Sequence, residues 1–132
     1  MTKYVLGFLF KADSVVLVAK QRPAWQKGKL NGVGGKVEAG ESPEQAIVRE
    51  FREETGATVE DWRFFAELRF REAVIYCYTA TAEIEVQTIT DEAIGWYQIG
   101  IIRRLPTLKN LRWLIPLALD SDYPTAVITD PS

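Results

Sequence analysis

Two apolar runs stand near the start of the chain, Tyr4 to Phe10 and Ser14 to Ala19, and the polar Lys11-Ala12-Asp13 between them is short enough for a hairpin turn. Two paired strands therefore open the fold. Gln21 to Lys29 holds Pro23, Lys27 and Gly28 without sustained periodicity and reads as a surface loop. The next stretch, Leu30 to Glu41, carries Gly32, Gly34 and Gly35, which permit backbone approaches that a side chain would block. Ser42-Pro43-Glu44-Gln45 then announces a helix: Ser42 suits the N-cap, Pro43 the first helical position, and Gln45 the far side of a capping box. Thr55-Gly56 ends it, with Gly56 as a left-handed C-cap, so the pattern predicts a helix over Pro43 to Thr55. Trp62 to Phe70, Val74 to Thr81 and Glu83 to Thr88 read as strands from their β-branched and aromatic content. Asn110 to Leu119 reads as a second, mostly apolar helix in which Pro116 is discordant, and the tail from Tyr123, with Pro124 and Pro131, reads as irregular.

At 132 residues and 47% hydrophobic, the chain fits a single domain over residues 1–132, because two domains would each be too small to bury a sufficient core. The 16 basic residues nearly balance the 18 acidic ones, so no surplus of positive charge suits a nucleic-acid polymer or an anionic membrane. No apolar stretch approaches the roughly 20 residues needed to cross a bilayer. One cysteine, Cys77, cannot form an internal disulfide, and the expectation is a cytoplasmic protein with Cys77 as an inert core residue. The absence of histidine removes Ser-His-Asp and Cys-His catalysis and histidine-bound zinc, leaving carboxylates, Lys, Tyr and Cys77 for acid–base work.

On a helical wheel, Ile47, Val48 and Phe51 form one apolar arc, with Glu50 and Glu54 beside it and Glu53 next to them. Carboxylates spaced i, i+3 and i, i+4 repel each other, so a positive group should offset them. Arg49 and Arg52 supply part of that charge, in which case the pattern is an ordinary helix with ion pairs. The other reading is a divalent cation bridging Glu50, Glu53 and Glu54. Ligands that are all hard oxygens suit Mg²⁺ or Mn²⁺, and Mg²⁺ usually completes its shell with water and substrate phosphates. The matching partner is a polyphosphate.

Gly35, five residues, Glu41, seven residues, then Arg49-Glu50-Phe51-Arg52-Glu53-Glu54-Thr55-Gly56-Ala57 resembles the complete signature of the Nudix hydrolases. The resemblance implies an α/β fold, a Nudix-type α/β/α sandwich with a mixed β-sheet, and hydrolysis of a nucleoside diphosphate linked to another group. By position, it implies that Glu50, Glu53 and Glu54 hold the metal, Mg²⁺ or in its place Mn²⁺, together with the Gly35 carbonyl. Arg49 would orient a glutamate, Glu41 would brace the loop against the helix, and either Glu50 or Glu53 would take the proton from the attacking water. Gly56 would be structural.

Leu30 to Glu38 is similar to the corresponding stretch of family members that cleanse the nucleotide pool of oxidised purine triphosphates such as 8-oxo-dGTP. The resemblance puts Asn31 against the nucleotide, although a turn asparagine explains it equally. Asn110 falls near a base-reading position, or is simply an N-cap. Lys20 and Arg22 are candidates for phosphate oxygens, and Trp96 and Trp113 for stacking or for core packing. Lys109 stands where some of these relatives carry base-reading acids. The leading expectation is a nucleoside triphosphate pyrophosphohydrolase whose partner is a nucleoside polyphosphate, with a homodimer open. The alternatives are a hydrolase of dinucleotide polyphosphates, ADP-ribose or nucleotide sugars, and a nucleotide-sensing domain without turnover.

Overall fold

The structure is a computed structural model and describes residues 1–120, 122 and 125–130. Strand β1 (Thr2–Lys11) shows no apolar/polar alternation because it is covered on both faces, and residues 5–10 are all buried. It pairs in parallel with β6 (Ala73–Thr81) and antiparallel with β2 (Ser14–Ala19) and β4 (Val33–Lys36). Strand β2 also carries β3 (Leu30–Asn31) and β7 (Ile94–Gln98), while β5 (Arg63–Arg69) joins β6 to the edge strand β8 (Ala126–Thr129). Among the described residues the result is one mixed eight-stranded sheet with a main path β3-β2-β1-β6-β5-β8.

Each face of that sheet takes one helix. Leu6, Phe8 and Phe10 of β1 share a cluster with Leu111, Leu114, Ile115 and Ala118 of α2 (Leu111–Leu119). On the opposite face, Val5 packs with Ala46 and Ile47, and Leu9 with Phe51, all from α1 (Pro43–Thr55). Gly7 lets α1 settle this closely, since a Cβ there would lie 2.6 Å from Ile47 Cδ1. These are the α/β sandwich and the mixed sheet that the resemblance implied.

Gly34 is needed for a different reason. It faces Leu6 across the β1–β4 ladder, and a Cβ would press into the carbonyl of Val5, where backbone cannot give way. Gly34→Ala is therefore expected to lower unfolding stability by roughly 2–3 kcal/mol, the range of overpacked sites. Urea denaturation checks it, and an unchanged midpoint would refute the tightness of this pairing.

Several elements depart from the sequence expectation. Residues 83–88 form no ladder, although Ala82, Ile84 and Val86 alternate inward and pack on the α1-side cluster. The period of two reports a one-sided burial there; the segment is pinned by a bond from Gln87 N–H to the Thr55 carbonyl, 3.0 Å, and by Thr88 Oγ1, which accepts from Ile94 N–H at 2.9 Å. Strands β7 and β8 were not expected, and Ala126–Thr129 of the supposedly irregular tail is β8; Tyr123, Pro124 and Pro131 lie outside the described residues. Helix α2 begins at Leu111, with Asn110 at the N-cap. Val48 is only half-buried, because the inward stripe of α1 is Ala46, Ile47, Phe51 and Thr55. Among the described residues no helix is long and apolar enough to cross a membrane.

Candidate active site

Helix α1 is fixed at both ends by local chemistry. The Ser42 hydroxyl accepts from Gln45 N–H, the Gln45 side chain accepts from Ser42 N–H, and Gly56 closes the helix at φ 77°. With Ala46 held against the sheet, Glu50 and Glu54 follow it at steps of four residues and are carried to the border of the buried face. There they meet β4. A Cβ on Gly35 would fall within 3.0 Å of every atom of the Glu50 carboxylate group, so only glycine leaves that carboxylate its place.

Arg49 organises the other side. Its Nε and one terminal nitrogen bind Glu41 at 2.7 and 2.9 Å, and the second of these also donates to the Lys36 carbonyl at 3.0 Å. The remaining nitrogen reaches Glu50 at 2.8 Å and Glu53 at 3.2 Å, with Glu38 at 3.5 Å. The paired bonds from Arg49 hold the Glu41 carboxyl below its ordinary range, and Glu41 accepts a further bond from Glu38 N–H. This arrangement ties the loop after β4 to α1. Burial pushes the Glu50 carboxyl up, against the opposing pull of Arg49. Glu53 stays 56% exposed and turns to Arg49.

Glu54 lacks such a partner. Its Oε2 is buried without a hydrogen bond, and burial, reinforced by the charge of Glu50, pushes its carboxyl up to about 7. The opposing pulls come from Lys20 and the Gly34 N–H. Lys20 lies 3.1 Å from Glu92, a buried carboxylate that also accepts from the Gln21 and Arg22 N–H groups at 2.6 and 3.3 Å. Burial raises Glu92, but these donors outweigh it and its carboxyl is lowered. Glu92 escaped the sequence reading, since it reaches Glu54 only through the loop that enters β7, where Ala19 N–H meets the Ala93 carbonyl at 2.8 Å. A charged residue just before an aromatic strand was its only local signal.

The other candidates are placed unevenly. Arg22 forms a two-point ion pair with Asp91 at the surface. The Asn31 carbonyl oxygen accepts from Gly32 N–H at 2.8 Å and its amide donates to Gln26, a turn arrangement. Asn110 makes no capping bond, and its Oδ1 is buried without a partner. Leu30, beside Asn31, bonds with Pro106 and Leu108, so the two asparagines stand on neighbouring segments. Trp96 is half-buried with Lys11 Nζ 4.7 Å above its ring, Trp113 faces outward from α2, and Cys77 is buried, its thiol pushed up to about 12. A concavity of about 870 Å³ runs along the outer side of α1 and shares Arg49 and Glu53 with the carboxylate site.

Among the described residues no three Asp, Glu, His or Cys side chains are closed into a metal cage; Arg49 draws Glu50 and Glu53 toward itself. The donors nevertheless fit a hard divalent cation. A buried carboxylate oxygen without a hydrogen-bond partner, beside a second carboxylate seated where Gly35 has no side chain, is a site of incompletely compensated negative charge.

The profile of the NUDIX domain family matches residues 2–114, and the chain belongs to that family. The 8-oxo-dGTP diphosphatase of Escherichia coli is 38% identical over 58 residues, 44% of this chain and 45% of that protein. The NAD-capped RNA hydrolase NudC of Pseudomonas aeruginosa is 31% identical over 115 residues, 83% of this chain and 41% of the relative. This chain thus spans less than half the length of these curated relatives. The crystal structure of a MutT protein from Bacillus halodurans superposes with a TM-score of 0.78 at 25% identity, covering 98% of this chain and 90% of that one.

Proposed function

We propose that this chain is a Mg²⁺-dependent pyrophosphohydrolase that cleaves nucleoside triphosphates to the monophosphate and pyrophosphate, with oxidised purine nucleotides such as 8-oxo-dGTP among its substrates. The observation that carries the reading is the buried, unpartnered Oε2 of Glu54 beside Glu50 at Gly35. Glu50, Glu53, Glu54 and the Gly35 carbonyl would hold the cation, with Mn²⁺ able to substitute. When bound, such a cation neutralises phosphate charge and lowers the pKa of water, which lets a site without histidine act near neutral pH. Arg49 bonds Glu50 and Glu53 and ties them to the loop that Glu41 anchors, and in this reading either carboxylate would accept the proton from the attacking water. The unpaired Oδ1 of Asn110, on a segment adjoining Asn31, would accept a hydrogen bond from the base, and Lys20 would balance charge at the phosphates. The likeness to an 8-oxo-dGTP diphosphatase supports the substrate class.

A second reading has its own support, the longer match to an NAD-capped RNA hydrolase: cleavage of a pyrophosphate that joins two nucleotides. A panel of canonical and oxidised nucleoside triphosphates and NAD⁺, assayed with and without Mg²⁺ and with product analysis, tests both. Release of pyrophosphate and a monophosphate, only with the cation, is expected. Two mononucleotides from NAD⁺ with inert triphosphates would replace the first reading by the second, and binding without turnover of any substrate would leave a sensor domain.

A further inference from the structure

Charge is unevenly spread along this nearly neutral chain. Residues 99–119 contain Arg103, Arg104, Lys109 and Arg112, and none of the 18 acidic residues. Among the described residues, no ion pair or side-chain hydrogen bond engages any of these four. Three of them, Arg103, Arg104 and Arg112, rim a groove of about 550 Å³ between the 3-10 turn at residues 99–104 and α2. Its floor is Ile102, Leu111 and Ile115, and Leu119, 50% exposed, stands at its mouth with Pro116. No residue of the carboxylate site lines it.

We propose that this groove docks an acidic protein segment that inserts an apolar side chain between the arginines. Three guanidiniums without counter-charges favour a partner carrying several carboxylates, which arginine binds in two-point geometry. The apolar recess supplies the place for an anchor residue, the arrangement in which few buried contacts carry most of the affinity. The concavity favours a protruding side chain over the flat surface of a bilayer. No aromatic side chain lines the groove, so nucleic-acid bases have nothing there to stack on.

The test uses the full chain and a fluorescein-labelled peptide of glutamates bearing two leucines four residues apart, with an otherwise identical glutamine peptide as control. Saturable binding of the acidic peptide, weakened by salt and by the R103E/R112E double variant by about tenfold or more, is expected. Leu119→Ser should weaken binding separately, so a misfolded charge-reversal variant would not leave the question open. Nucleotide turnover should be unchanged in all of these variants. Equal binding of the glutamine peptide, or full binding by both variants, would overturn the proposal. So would tighter, variant-sensitive binding of phosphatidylglycerol vesicles or of an oligouridine than of the acidic peptide.

Discussion

Replacing Glu50 with glutamine is expected to lower kcat by about a thousandfold, within the range for losing a general base or a metal-binding carboxylate. Thermal stability should hold or rise. Glutamine keeps the shape that fits against Gly35 and still accepts from Arg49, while it removes a charge whose carboxyl is raised chiefly by burial. Glu53→Gln should also lose turnover, and whichever variant loses the acidic limb of the pH–rate profile identifies the base. Gly35→Ala reaches a similar defect by another route, because its methyl group displaces the Glu50 carboxylate. Steady-state kinetics beside thermal melts check all three. A Glu50→Gln enzyme within about threefold of the parent would sink the catalytic reading of α1.

These variants can be chosen because α1 was legible from sequence, and the reason is locality. Ser42, Gln45 and Gly56 specify the ends of the helix within a few residues, and helical spacing alone then puts Glu50 and Glu54 at the border of the buried stripe. Of the apolar arc, Ile47 and Phe51 are buried and Val48 is half-buried, while Ala46 and Thr55 complete the inward stripe, since the wheel does not say which side of the arc the sheet will cover. Pairing between distant segments was harder. Residues 83–88 show strand-like alternation but lack a ladder partner, whereas β7 finds one in β2 without a clean alternating pattern. Glu92 was missed for the same reason: it joins Lys20 across 72 positions of sequence.

Glu54 supplies the second large effect, a dependence of stability on pH and Mg²⁺. Its carboxyl is pushed up to about 7 from an ordinary 4.5, so between those values the folded chain holds a proton that the unfolded chain has released. Stability from this group must then fall as pH rises through that window, by on the order of 3 kcal/mol, and level off above it. Glu41 and Glu92, lowered on folding, slope the opposite way at lower pH, so the informative quantity is the difference between the parent and Glu54→Gln. A cation taking the place of that proton should reverse the trend. Mg²⁺ is expected to raise the unfolding free energy measured in urea more at about pH 8 than at about pH 5, by an amount approaching about 2.7 kcal/mol when it exceeds its Kd about a hundredfold. Glu54→Gln should lose the Mg²⁺ response and the part of the slope that Glu54 supplies, leaving the smaller share of Glu50, while keeping the fold. If the variant retained the parent's response to Mg²⁺, the unpartnered oxygen of Glu54 would not be a cation ligand, and the proposed chemistry would have to be built on other residues.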